Sequence, residues 1–263
     1  MTRSIAIAVL LVFLVFSFAS AREWVPFRDA PVEEEVGTRI ISTDTSTTVI
    51  EIEIPGMMVE PALKGLPGAV DLAIPGARTL SSPGMPNLPV LSYLVAIPAY
   101  GDVELEIVVL EERVLAGYDI AAARPFELEG REPMEAVPDA SVYATDAFYP
   151  ADVASVGEPG IFRDLRLVSV RVNPVRYNPV TRTLSVVERL ELRLSSTSEQ
   201  GANTKRVTRD FRSAAFEPIY AAVVDNFDQL PRAEVQRGSY LVITVDDYAV
   251  AMAPFIEGKR QRG

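Results

Sequence analysis

Proline decides first what this chain can become. Inside a helix it removes a backbone hydrogen bond and clashes with the preceding turn, at about 3 kcal/mol or more. In a sheet it is confined to edges, strand starts and bulges. The sequence carries 20 prolines. Together with the turn signals at Pro98, Gly117, Pro125, Gly130, Pro133, Pro138, Pro150, Gly157 and Pro159, they disfavour a central helix anywhere between Pro55 and Pro179. What lies between the breaks alternates. Ile50, Ile52 and Ile54 share one face and Glu51 and Glu53 the other, a period of two that reads as a strand over Thr47 to Ile54 with one wet face. Pro55-Gly56 ends it. Further apolar runs follow at Val90 to Ile97, Val103 to Val109, Leu165 to Val175 and Thr183 to Leu194. In the second of these, Val103, Leu105, Ile107 and Val109 alternate with Glu104 and Glu106. In the third, Val168, Val170 and Val172 lie opposite Leu165, Leu167, Ser169 and Arg171. In the last, Leu184, Val186, Leu190, Leu192 and Leu194 interleave with Ser185, Glu188, Glu191 and Arg193, with regular parity only in the second half. Many short strands with Pro and Gly turns predict a mainly β chain, an antiparallel β-sandwich of Ig-like type over about residues 36–196.

Composition narrows the chemistry. The 263 residues contain no His and no Cys, which excludes thiol nucleophiles, disulfides, thiolate metal sites and the usual His-based triads. No cofactor motif is present: there is no Gly-rich phosphate loop and no calcium-loop spacing. A net charge of −11 without a basic stripe argues against nucleic acid. At the N-terminus, Arg3, an apolar run from Ile5 to Phe18 broken only by Ser17, and the small residues Ala19-Ser20-Ala21 read as a secretory signal peptide. A membrane anchor needs about 20 apolar residues, and this run is shorter. Cleavage after Ala21 predicts a secreted chain with no further membrane contact, and the loss of Arg3 takes its net charge from −11 to −12. Glu33-Glu34-Glu35 reads as a solvated loop.

The pattern changes after residue 196. Ser195 to Asn203 is small and polar, and Lys205, Arg206, Arg209 and Arg212 follow. Ser213 is expected to cap a helix from about Ala214, with Pro218 in its first turn and Ile219, Ala222, Val223 and Phe227 as its apolar stripe. Tyr240 to Val245 is apolar on both faces, as an interior strand of a parallel sheet would be. Asp246-Asp247 then opens a predicted helix from about Tyr248 to Arg262, with Met252, Phe255, Ile256 and Lys259 at helical spacing and basic residues at its end. A metal-binding or acid/base role for Asp246-Asp247 is the alternative to simple capping. Tyr177 and Tyr220 read as packing residues. Five apolar side chains left bare in a strand would forgo roughly 7–15 kcal/mol, at about 1.5–3 kcal/mol each. The expectation is therefore a truncated α/β unit with more of its domain encoded after Gly263.

Four segments carry a resemblance. They are Gly84-Met85-Pro86-Asn87-Leu88-Pro89 leading into Val95-Ala96-Ile97-Pro98; Asn173-Pro174-Val175-Arg176-Tyr177-Asn178-Pro179; Phe216-Glu217-Pro218-Ile219-Tyr220 through Asn226; and Gly238-Ser239-Tyr240-Leu241-Val242-Ile243-Thr244 with Asp246-Asp247-Tyr248 and the helix beyond. In this order they resemble the N-terminal half of gingipain-type cysteine peptidase precursors. The resemblance implies a signal peptide at 1–21, a β-sandwich propeptide at 22–196, a linker with a helix at 197–237, and the first strand and helix of a caspase-like α/β peptidase domain at 238–263. The family's catalytic His and Cys lie downstream, so none is carried over and the chain itself is expected to be non-catalytic.

The implied role is that of a zymogen propeptide, a folding aid and inhibitor whose partner is its own downstream peptidase domain. Some family members cut after Arg or Lys, and an Arg suits such a pocket because its planar fork pairs with a carboxylate. Candidate pocket-blocking residues are Lys205, Arg206, Arg209 and Arg212. Candidate processing sites are Arg237 and then Arg232, although ordinary surface charge is the simpler explanation of any single one of these basic residues. Two other readings stay open: a secreted sandwich that binds or adheres, fused to an unrelated α/β domain, and a carboxylate-based hydrolase complete in itself.

Overall fold

The computed structural model describes residues 22–29, 31–42, 46–62, 68–80, 82–125, 129–130, 134–197, 200–206, 211–236 and 241–262. In chain order these contain β1 (Glu23–Pro26), β2 (Gly37–Ser42), β3 (Thr47–Glu53), β4 (Gly56–Pro61), β5 (Val70–Ala73), β6 (Arg78–Leu80), β7 (Leu88–Ile97) and β8 (Val103–Ala116). The one-turn helix α1 (Ala140–Tyr143) precedes β9 (Ala154–Val156), β10 (Gly160–Phe162), β11 (Leu165–Val172), β12 (Val175–Asn178) and β13 (Thr183–Ser196). The C-terminal part holds β14 (Phe211–Ser213), α2 (Glu217–Val223), a 3-10 turn (Phe227–Gln229), β15 (Glu234–Gln236) and α3 (Asp246–Arg262). The proposed signal peptide falls outside the described residues.

Two five-stranded antiparallel sheets enclose one core. The first runs β10-β11-β7-β6, with β9 also on β11; the second runs β12-β13-β3-β2, with β8 along the other edge of β13. A smaller β1-β4-β5 sheet adds Met57, Val59 and Leu72 to the same core. The alternation read in β3 is realised: Ile50, Ile52 and Ile54 are buried together with Val95, Val168, Val170 and Val172 of the first sheet. β13 is the shared member. It pairs β8 along its whole length, β12 over its first residues and β3 over its last.

The broken parity in β13 has a structural cause. Its ladder with β8 shifts between Val187 and Arg189 and again between Arg189 and Leu190. An extra residue at Glu188 is thereby offset by one at Leu110. Val186 and Val187 both enter the core, and Glu188 pairs with Arg113 at 2.6 Å. β8 continues past the run seen in the sequence, because Glu111 and Glu112 meet Arg189 and Arg176 at 2.7 and 3.0 Å.

The run Leu165 to Val175 is not one strand. β11 ends at Val172, and Asn173-Pro174 carries the chain across to β12 in the other sheet. Asn173 pins the crossing: its N–H donates to the Val153 carbonyl at 2.7 Å and its Nδ2 to that of Asp152 at 2.9 Å. Asn178 closes the next turn, its Oδ1 accepting from the N–H groups of Val180 and Thr181 at 3.0 and 3.2 Å. Val175 and Tyr177 between them are buried. The motif is architectural.

Two expectations after residue 196 change. Ser213 lies in β14 rather than at a cap, and α2 begins at Glu217 with Phe216 at its N-cap. The buried face is Phe216, Tyr220, Val224 and Phe227, while Ile219 and Val223 are exposed. The period was legible but the phase was one residue off, because the bulky aromatics fill the groove on the first sheet. The described part of the expected strand, 241–245, forms no strand; Leu241, Ile243 and Val245 are 82%, 88% and 60% exposed. Without flanking strands an apolar segment has nothing to pair with. α3 starts at Asp246, two residues earlier than expected, with Asp246 and Asp247 in its first turn. No described helix is long and apolar enough to cross a membrane.

Candidate functional site

Of residues 197–237, read as a linker, several described stretches between 197 and 229 are bonded to the sandwich. They are fixed at three stations. The first station is the end of the sandwich, where the chain leaving β13 crosses the β7–β8 loop. The Thr197 N–H donates to the Asp102 carbonyl at 2.9 Å and the Lys205 N–H to that of Ala99 at 2.7 Å. The crossing admits only glycine. A Cβ on Gly201 would overlap the Gly101 carbonyl, and one on Gly101, whose φ is +94°, would overlap that of Thr197. Arg166 of β11, 2% exposed, locks both segments by donating Nη1 to the Pro98 carbonyl at 3.0 Å and Nη2 to the Ala202 carbonyl at 2.7 Å. Burial pushes its guanidinium pKa down, opposed by the nearby Asp102 charge.

The second station is Asp164, at the turn between β10 and β11. Its Oδ2 accepts from the Tyr220 hydroxyl at 3.0 Å and from the Ser213 N–H at 3.2 Å. Its backbone carbonyl accepts from the Lys205 Nζ. Tyr220 is fully buried, edge-on to Phe162 with centroids 5.5 Å apart, and its hydroxyl pKa is raised chiefly by that burial.

The third station is the edge of β7. The Asp225 N–H donates to the Leu94 carbonyl at 2.8 Å, and the Leu94 N–H donates back to Asp225 Oδ2 at 2.6 Å. Asn226, 1% exposed, repeats the pattern with its side chain alone. Its Oδ1 accepts from the Ala96 N–H at 2.8 Å, and its Nδ2 donates to the Ala96 carbonyl at 3.0 Å. Gln229 Nε2 then donates to the Ile40 carbonyl of β2, in the opposite sheet.

Against this frame the six basic candidates divide. Arg212 is half-buried, with Nε 2.6 Å from Glu217 Oε1, Nη1 on the Pro231 carbonyl at 3.3 Å and its guanidinium 5.1 Å from the Phe227 ring centroid. Lys205 is held by Asp164. Arg206 is exposed at the rim of a cleft lined by Tyr100, Gly101, Gln200, Gly201, Asn203 and Thr204. Arg232 is exposed between the 3-10 turn and β15. Arg209 and Arg237 lie outside the described residues. Sequence reasoning missed Asp164, Arg166 and Asn226. Arg166 lies in phase with Val168, Val170 and Val172, but its charge hid it from an apolar pattern; Asp164 belongs to no pattern, and Asn226 left its one trace by closing the third resembling segment.

Charge and shape are what this surface offers. Among the described residues no group of three or more acidic side chains is placed to hold a metal ion. Residues 35–224 match the protein family described as Propeptide_C25. Gingipain R1 of Porphyromonas gingivalis is 31% identical over 189 residues, which cover 70% of this chain and 19% of that protein. The chain thus spans about a fifth of that relative's length. Among solved structures, a complex of Porphyromonas gingivalis RgpB pro- and mature domains matches with a TM-score of 0.64 at 25% identity, over 73% of this chain and 97% of that one. A structure addressing the zymogenic latency of gingipain K from the same organism matches in fold, with a TM-score of 0.58 at 20% identity, over 68% of this chain and 100% of that one.

Proposed function

Because the chain belongs to the Propeptide_C25 family, we propose that it is the propeptide region of a secreted gingipain-like cysteine endopeptidase zymogen. It assists folding of a peptidase domain in the same chain and inhibits it until proteolysis separates the two. One observation carries the reading: the family match over 35–224 falls on a sandwich similar to a pro-domain solved together with its mature domain. That complex supports the downstream peptidase domain as this chain's own partner. The bare apolar residues Leu241, Ile243 and Val245 support 238–263 as the opening of that domain. Export follows from a signal peptide cut after Ala21.

Among the pocket-blocking candidates, exposed Arg206 has the access such a role requires, whereas Lys205 is held by the Asp164 carbonyl and Arg212 by Glu217. Arg209 stays a candidate from the sequence. Separation of the domains is assigned to Arg237 first and Arg232 second. The test is inhibition of a gingipain-type peptidase by the purified chain. Inhibition at or below micromolar concentration is expected, with Arg206→Ala weakening it about tenfold, as loss of one central contact does. No inhibition at micromolar concentration would refute the reading. N-terminal sequencing of the released peptidase checks the processing sites, and a start inside Tyr240 to Val245 excludes both.

A further inference from the structure

The third station of the C-terminal segment does more than hold that segment in place. On its side away from β11, β7 is covered by β6 only from Leu88 to Val90. Beyond that point the strand would present bare N–H and C=O groups at Leu94 and Ala96. All four are met by Asp225 and Asn226. A carboxamide can present its C=O and one N–H side by side, as a strand residue presents its own N–H and C=O to a neighbour, so Asn226 stands in for a residue of a neighbouring strand. The stretch of edge beyond β6 is Leu91-Ser92-Tyr93-Leu94-Val95-Ala96-Ile97, seven residues without a charge, proline or glycine. Such a window is the composition that pairs most readily with another strand. The opposite flank has no such need. β8 carries Glu104, Glu106, Glu111, Glu112 and Arg113 and an irregularity at Leu110, all of which discourage pairing.

We propose that Asp225 and Asn226 form an intramolecular strand surrogate that keeps β7 from pairing with β7 of a second copy of this chain. The same edge brought against itself about a two-fold axis is self-complementary in antiparallel pairing, so an identical copy is the matching partner. Gln229 on the Ile40 carbonyl and the Thr38–Tyr93 hydroxyl contact at 2.9 Å tie this flank to the second sheet, so the surrogate closes the open side of the sandwich.

The test uses the full chain and the double variant Asp225→Ala/Asn226→Ala. In the unaltered chain the Leu94 and Ala96 amides exchange slowly with deuterium and sedimentation shows a monomer. In the variant, exchange at these two amides rises about tenfold, the effect of losing hydrogen bonds of this strength, and a dimer appears with increasing concentration. Unchanged exchange at both amides, or faster exchange with a monomer at every concentration, overturns the proposal. Slow exchange of the Leu190 and Leu192 amides in β13 reports that the variant is folded. If it is not, the single variant Asn226→Ala takes its place: it loses both bonds to Ala96 and must raise exchange at the Ala96 amide, with dimerisation, or the proposal fails.

Discussion

Asp225 holds its carboxyl pKa above the ordinary carboxylate value, because burial of the charged form outweighs the N–H groups of Leu94 and of its own backbone. A carboxyl raised in this way binds its proton more tightly folded than unfolded. Its ionised form therefore weakens the fold at neutral pH, and stability is regained as pH falls through the folded pKa toward the unfolded one. The residue is partly solvated, so the effect is modest. Asp225→Asn, which keeps an acceptor for the Leu94 N–H, is expected to be neutral or slightly stabilising at pH 7 and to flatten the dependence just above the ordinary carboxylate range. Urea midpoints of parent and variant at pH 7 and just above the ordinary carboxylate range check this. The glycine crossing gives a sharper outcome. Gly101→Ala forces a side chain into a positive-φ position and onto the Thr197 carbonyl, and should cost about 1–3 kcal/mol; equal midpoints for variant and parent would contradict it. Arg166→Met keeps the bulk but leaves the Pro98 and Ala202 carbonyls unmet. A loss of about 1–3 kcal/mol is expected, with faster proteolysis at Arg206.

Strands announced themselves where one face was wet. The Ile50-Ile52-Ile54 alternation located β3 because Glu51 and Glu53 kept the other side polar, and Val168-Val170-Val172 did the same for β11. β11 was harder to interpret on its other side: Leu167 shares a face with Ser169 and Arg171, yet is buried with Tyr220 and Val224. No local pattern could reveal a cover that arrives more than fifty residues later in the chain. The same limit displaced the face of α2. Ile219 and Val223 were the natural stripe for a helix on a flat neighbour, but aromatic edge contacts with Phe162 chose Phe216 and Tyr220 instead. Tyr220→Phe should therefore cost about 1 kcal/mol through the lost Asp164 bond, and Tyr220→Ala about 3–5 kcal/mol through the cavity. Calorimetry separates the two. α3 makes the opposite case. It contains Pro254 and Gly258 and exposes Tyr248, Val250 and Phe255, so a peptide of residues 241–262 alone should show little helical circular dichroism.

Across the molecule the sandwich reaches past the sequence boundary at 196, since Arg166, Asp164 and the β7 edge each fasten residues beyond it. Limited proteolysis is expected to remove 241–262 first and to leave 211–230 bound to the sandwich, even after a cut at Arg206. Native mass spectrometry of the digest reads this directly, and early loss of 211–230 would count against three-point attachment. The placement of β13 has a consequence for timing. This strand sits between β8 on one side and β12 and β3 on the other, yet it is the last strand of the sandwich to be synthesised. Until it emerges, the second sheet has no centre and loop closure across it brings no reward. A nascent sandwich of this design stays slack until its middle piece arrives, and only then snaps shut.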